Sequence, residues 1–208
     1  MASETQIKKL LAQPATFTPN FTAEHSVVLP HSFGVVFDKL GSGETVEESV
    51  RLSDLCSTFR LTTKDHITLS KDQSLTEVRC RGLPPAPSST EPTEPTEGER
   101  TLARQFFVLQ EVFPLLFGLY KHAVTISGCL TSDRERKAAL YETSAAGGIL
   151  IWKLRTFEEL APSESGEART KVYERIEGRA PALLRSRVQK ETHRAHTAHM
   201  EQYHTLFS

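Results

Sequence analysis

The chain has 208 residues, 38% of them hydrophobic and 25% charged, with a formal charge of -1. That length buries one core, or one core and a small satellite. The balanced charge excludes both the basic excess of a nucleic-acid binder and an acidic tail, so no nucleic-acid partner is expected. Residues 1–98 carry 9 Lys+Arg against 13 Asp+Glu and residues 99–208 carry 16 against 13, which makes the back half the face for acidic surfaces. Cys56, Cys80 and Cys129 are odd in number and lack C-x-x-C spacing. They predict neither a disulfide framework nor a zinc knuckle and fit a reducing compartment. No stretch reads as a signal peptide or a spanning helix, so a cytoplasmic location is expected.

In chain order, Ser3 to Gln6 fits a capping box, and Ile7, Leu10 and Leu11 form one apolar edge before Pro14 stops the helix. From His25 to Cys80, the runs SVVLP, SFGVVFDKL, SVRL, HITLS and LTEVRC are rich in Val, Ile, Thr and Phe and separated by GSG and KDQS turn chemistry. They predict a small antiparallel β-module, within which residues 47–61 suit a strand and a short helix equally. Residues 84–99, PPAPSSTEPTEPTEGE, hold five prolines and no large apolar side chain, the composition of a linker. Three helices are predicted beyond it. Residues 99–126 are apolar nearly all round, which predicts a central helix kinked at Pro114. Ser132 to Glu135 is a second capping box that opens a helix to about Leu160, with SAAGG in its interior marking close approach of a neighbouring backbone. The third helix starts near residues 163–167 and runs to the end, with a bend at Gly178 and Pro181.

That last helix holds His193, His196, His199 and His204, half of the 8 histidines. On a helical wheel of roughly 100° per residue, His199 lies near the seam, His196 on its flank, and His193 and His204 almost opposite. The rings do not converge, and their spacings are three, three and five rather than four. Glu201 to His204 matches the E-x-x-H element of di-iron bundles, but it has no second copy in the chain. A largely solvated helix face, with His199 half-buried, is the expected arrangement. G-x-S-x-G, P-loop, G-x-G-x-x-G and H-E-x-x-H patterns are all missing, which lowers the expectation of an enzyme. Arg169, Arg175, Arg179, Arg185, Arg187 and Arg194 alternate with Glu174, Glu177 and Glu191, so the segment reads as a salt-bridged association helix rather than a phosphate rail.

Val50 to Leu55, the prolines at 84, 85 and 87, and the closing run from Leu183 to Phe207 are three fragments that together resemble sorting nexins, whose phosphoinositide-binding PX domain is in some members followed by a membrane-curving BAR helical domain. Val50-Arg51-Leu52-Ser53-Asp54-Leu55 is similar to the PX stretch Arg-Tyr-Ser-Asp-Phe, with Leu52 and Leu55 in the aromatic positions. The prolines at 84, 85 and 87 resemble the PX proline loop, without its following lysine, and LLRSRVQKETHRAHTAHMEQYHTLF resembles the closing BAR helix. The resemblance covers under half the chain and implies that Arg51 contacts a lipid 3-phosphate.

Together these readings predict an α+β protein. A short helix and β-module occupy residues 1–83, a linker 84–99, and a three-helix bundle or elongated helical hairpin 100–208. The expected function is a non-catalytic scaffold needing no cofactor or metal. It would bind a protein partner or itself through a seam of Val188, Ala195, Ala198, Tyr203 and Leu206, with an anionic membrane surface in membrane trafficking as a second, peripheral partner. The alternative is a metal-dependent helical-bundle enzyme built on Glu201 and His204.

Overall fold

The computed structural model describes residues 17–86, 98–115 and 120–207. Seven strands form one antiparallel sheet. They are β1 (Phe21–Leu29), β2 (Cys56–Ser70), β3 (Glu99–Leu115), β4 (Tyr120–Asp133), β5 (Ala138–Ala145), β6 (Ile149–Leu160) and β7 (Arg169–Arg179), in the spatial order β1-β7-β6-β5-β4-β3-β2. Since β1 and β2 lie on opposite edges, their connection must cross a face of the sheet. It does so through two short helices, α1 (Phe33–Leu40) and α2 (Val46–Val50). The chain ends in α3 (Arg185–Glu201) and a 3-10 turn, Tyr203–Phe207.

Strand alternation divides the side chains between two faces. The inner face, under the helices, carries Phe107, Leu109, Leu130, Ala139, Tyr141, Phe157 and Val172, which pack against Val36, Phe37 and Leu40 of α1 and against Met200 and Tyr203. α3 lies along the β1 edge. Gln189 accepts a bond from the Thr22 backbone N–H at 3.1 Å and donates to its carbonyl at 2.6 Å, standing in for an eighth strand. This covers an edge that would otherwise offer unpaired backbone groups.

The outer face is covered by residues 71–86. Leu75 and Cys80, with half-buried Val78 and Leu83, pack on Ile67, Leu69, Leu102, Leu140, Trp152 and Leu154. Arginines bind this strap through its carbonyls: Arg104 donates to Cys80 and Leu83 and makes a two-pronged pair with Asp65, while Arg100 donates to Gln73 and pairs with Asp133. Beneath the strap, the Arg81 N–H donates to Oε2 of the buried Glu142 at 2.7 Å. Burial pushes the Glu142 carboxyl up to about 7.

The expectation of a helical bundle is overturned. Residues 99–126 are β3 and β4, residues 132–160 are β5 and β6, and the third predicted helix is β7 followed by α3, which begins only at Arg185. For β3 to β5 the error has a physical source: a strand covered on both faces is apolar all round, and periodicity cannot then separate it from a buried helix. β5 is such a strand, buried at seven of its eight positions. The capping box at Ser132 to Glu135 lies at the end of β4 and in its turn to β5, and SAAGG closes the β5–β6 hairpin, where Gly147 and Gly148 take φ of 95° and 81°. SFGVVFDKL, read as a strand, contains α1, and residues 47–61 are divided between α2 and β2. Strands on both sides of residues 84–99 join the same sheet, β2 pairing with β3. The helix predicted over residues 3–14 and most of the Pro-rich segment lie outside the described residues.

Candidate functional site between the sheet and the last helix

The inner face changes character at β6 and β7. Their register with β5 aligns two rows across the sheet, Tyr141–Lys153–Ile176 and Ala139–Arg155–Glu174. Lys153 and Arg155 therefore point to the helix side, while Trp152 and Leu154 between them serve the outer core. Arg155 and Glu174 are both 0% exposed.

Every arm of the Arg155 guanidinium is occupied. Nε pairs with Glu174, Nη1 donates to the Leu40 carbonyl and to the Tyr141 hydroxyl at 3.0 Å, and Nη2 donates to the Tyr203 hydroxyl at 2.6 Å. Tyr203 in turn donates to Glu174 Oε1 at 2.7 Å, and His196 Nε2 lies 2.9 Å from Oε2. Lys153 Nζ stands 3.5 Å from the same Oε2 and 4.4 Å from the centre of the Tyr141 ring. His199 Nε2 reaches the Ser49 carbonyl at 2.7 Å, which ties α2 to α3.

The charges follow from this packing. Burial alone would push the Glu174 carboxyl up, but Arg155, then Lys153 and His196, hold it well below the usual carboxylate range. Burial opposes the Arg155 charge and the adjoining Glu174 more than restores it. Desolvation lowers Lys153, with Arg155 adding to it against the pull of Glu174. Burial and the Lys153 charge bring His199 down to about 4, so its ring is neutral at neutral pH. An ionised Glu174 only accepts hydrogen bonds, so His196 must donate from Nε2. Its Nδ1 is buried with no partner.

Above the Tyr141–Lys153 row the inner face is apolar and only partly covered. Ile151 and Thr143 form the next row and Ile149 and Ile126 stand beyond it, all half-buried, while half-buried Val188 overlooks them from α3. A half-buried apolar row thus adjoins the charged cluster on the helix side of the sheet. It is suited to an aromatic or alicyclic body that carries an oxygen at its inner end.

The residues expected to act from the sequence are dispersed. Arg51 is exposed after α2 and pairs with Glu47 at 2.7 Å. Val188 packs with Phe21, Ala23 and Ile176, Tyr203 is fully buried in the Arg155 cluster, and Leu206 rests on the main core. Ala195 and Ala198 face outward. Far from presenting a seam to a partner, α3 grips its own sheet, and this replaces the expected helical scaffold. Glu201 pairs with His25 at 2.7 Å, and His204 binds the Glu201 backbone carbonyl. No group of three His, Cys, Asp or Glu side chains able to hold a metal exists among the described residues, and the metal-dependent helical bundle falls with the fold. Lys153, Arg155 and Glu174 escape the sequence reading because their segments are taken as helices, on which interspersed charges read as solvent-facing. The available signal was that Lys153 and Arg155 share a face with Phe157, which is core.

An antiparallel sheet held by a long C-terminal helix, with the two enclosing a polar site, defines the helix-grip class of fold. Among solved structures, the Zhui aromatase/cyclase from Streptomyces sp. R1128 matches with a TM-score of 0.54 at 10% identity, over 88% of this chain and 91% of that one. The protein TTHA0849 from Thermus thermophilus matches with a TM-score of 0.50 at 10% identity, over 89% and 95%. At that identity the likeness is one of fold, and it replaces the sorting-nexin resemblance. No protein-family model matches the chain, and no curated protein does. No described helix is long and apolar enough to cross a membrane.

Proposed function

We propose that this protein binds a small molecule in a trough between the sheet and α3. The ligand is an aromatic or fused-ring compound whose carbonyl, enol or phenol oxygen meets the Lys153, Arg155 and Tyr141 end. One observation carries the reading: a fully buried charge cluster adjoins a half-open apolar row on the helix side of the sheet. A buried ion pair is weak as a source of stability, because its desolvation offsets most of its attraction. Where it borders accessible apolar surface, ligand recognition gives it a use. The likeness to an aromatase/cyclase, whose name implies ring-forming chemistry, supports this ligand class and goes no further at 10% identity. Binding without turnover is the form proposed, and the three free thiols support a reducing, cytoplasmic setting.

The test is a thermal-shift and equilibrium-dialysis screen of hydroxylated and carbonyl-bearing aromatics against the wild type and Ile151→Trp. The substitution fills the trough at a half-exposed position and leaves the cluster intact. Ligands should stabilise the wild type and lose that effect in I151W, with unchanged circular dichroism. Binding that is indifferent to I151W, or no binding across the panel, would refute the reading.

A further inference from the structure

We propose that Lys153 captures aldehyde and ketone ligands covalently, as a reversible imine. The inference rests on the trough being the ligand site, and it adds a reaction to that site.

Lys153 differs from the chain's surface lysines in its setting. Lys39, Lys64, Lys137 and Lys171 are 38 to 52% exposed and each meets a surface carboxylate. The Lys153 side chain is 17% exposed and lies between the sealed Arg155–Glu174 row, at 0%, and the half-open Thr143–Ile151 row. Its position at this boundary puts the amine where a ligand lying along Ile151 would place an inner carbonyl. Its neighbours suit an amine that must be neutral part of the time. The permanent charge of Arg155 is two residues along the same face, the Tyr141 ring covers one side, and the nearest carboxylate oxygen already accepts a 2.9 Å bond from His196 and stands 3.5 Å away. Desolvation and a neighbouring cation together are the established means of making a lysine nucleophilic, and the downward shift of Lys153 agrees.

The reaction balances without an oxidant or reductant. The neutral amine forms a C–N bond to the carbonyl carbon as the C=O π pair moves to oxygen, and one nitrogen proton passes to that oxygen. The resulting carbinolamine loses its hydroxyl as water, taking the second nitrogen proton, and leaves C=N. Hydrolysis reverses every step.

The experiment treats the full chain with limiting 2-naphthaldehyde and sodium cyanoborohydride near pH 7, then reads intact mass and maps the labelled peptide. Reductive labelling of Lys153 should outrun that of every exposed lysine, so that at limiting aldehyde the labelled peptide is the one that holds Lys153. The variant K153R should keep its fold, read by circular dichroism, and lose the fast adduct. Labelling spread over surface lysines with Lys153 spared overturns the proposal. If the aldehyde still binds in an I151W-sensitive way, imine capture alone is wrong and the trough stands. If Lys153 labels fast while the aldehyde shows no I151W-sensitive binding, the amine is reactive and the trough reading fails.

Discussion

Glu142 should make the outer face of the sheet pH-sensitive, and Glu142→Gln should reveal it. The carboxyl is 4% exposed, is raised by burial to about 7, and accepts the Arg81 N–H that seats the strap. A carboxyl raised in the folded state binds more protons folded than unfolded between the two pKa values. Its stabilising contribution is therefore full below the unfolded value of 4.5 and is lost as pH rises through about 7. From pH 5 to pH 8 that loss amounts to about 2 to 3 kcal/mol, taking 1.36 kcal/mol per pKa unit over most of the displacement. Glutamine keeps an acceptor for Arg81 and cannot ionise. The stability difference between E142Q and the wild type should therefore move by about 2 to 3 kcal/mol in favour of E142Q between pH 5 and pH 8. Urea titrations at both pH values measure it, with the m-value checked for constancy. A difference that is the same at both pH values would mean Glu142 is ionised throughout and fully compensated by Arg79 and Arg81, and the argument would fail.

Three further outcomes follow from the inner face. His199 is lowered to about 4, so its contribution is present above the unfolded value of 6.5 and is lost as pH falls; His199→Gln, which can still donate to Ser49, should relieve at most about 2 kcal/mol of destabilisation at pH 5. Arg155→Met should cost about 3 to 5 kcal/mol by stranding Glu174, and R155M/E174M should cost less than the two single changes summed, as chemical denaturation of the four proteins would show. Gly128→Ala puts a methyl inside the Phe107 ring that lies over it and should cost about 1 to 3 kcal/mol or more, whereas Gly98→Ala has open space and pays only for a φ of 94°, about 1 kcal/mol.

The sequence was legible where local chemistry decides structure. β2 and the second half of β1 fall within the run rich in Val, Ile, Thr and Phe from His25 to Cys80, and Pro181 lies between β7 and α3. It was misleading where burial on both faces erases the alternation. In the segment QFFVLQEV of β3, Phe107 and Leu109 face the core under the helices while Phe106 and Val108 on the other face are also at least half-buried, so no polar face marks it as a strand. The strap's LTEVRC run, read as a strand, forms none, because much of its hold on the sheet is made of backbone carbonyls meeting Arg100 and Arg104, and carbonyls leave no trace in a sequence. The wheel placed His196 on the flank of a solvated helix. Its burial depends on Glu174, which is 22 residues away and faces inward only because β7 lies next to β6.

The cluster proposed to meet a ligand also determines where the helices sit. α1 is held by the Leu40 carbonyl on Arg155, α2 by the Ser49 carbonyl on His199, and α3 and the following turn by His196 and Tyr203 on Glu174. A ligand oxygen that bonds Arg155 or Tyr141 must displace one of these helix contacts, since each guanidinium arm is already taken. Occupancy of the trough and the seating of α1 are therefore linked free energies, and each must shift the other by the same amount. Substitutions that loosen α1 from Arg155 should in consequence strengthen binding of an oxygen ligand even where they weaken the fold. A purely structural cluster would instead lose stability with no change in ligand affinity.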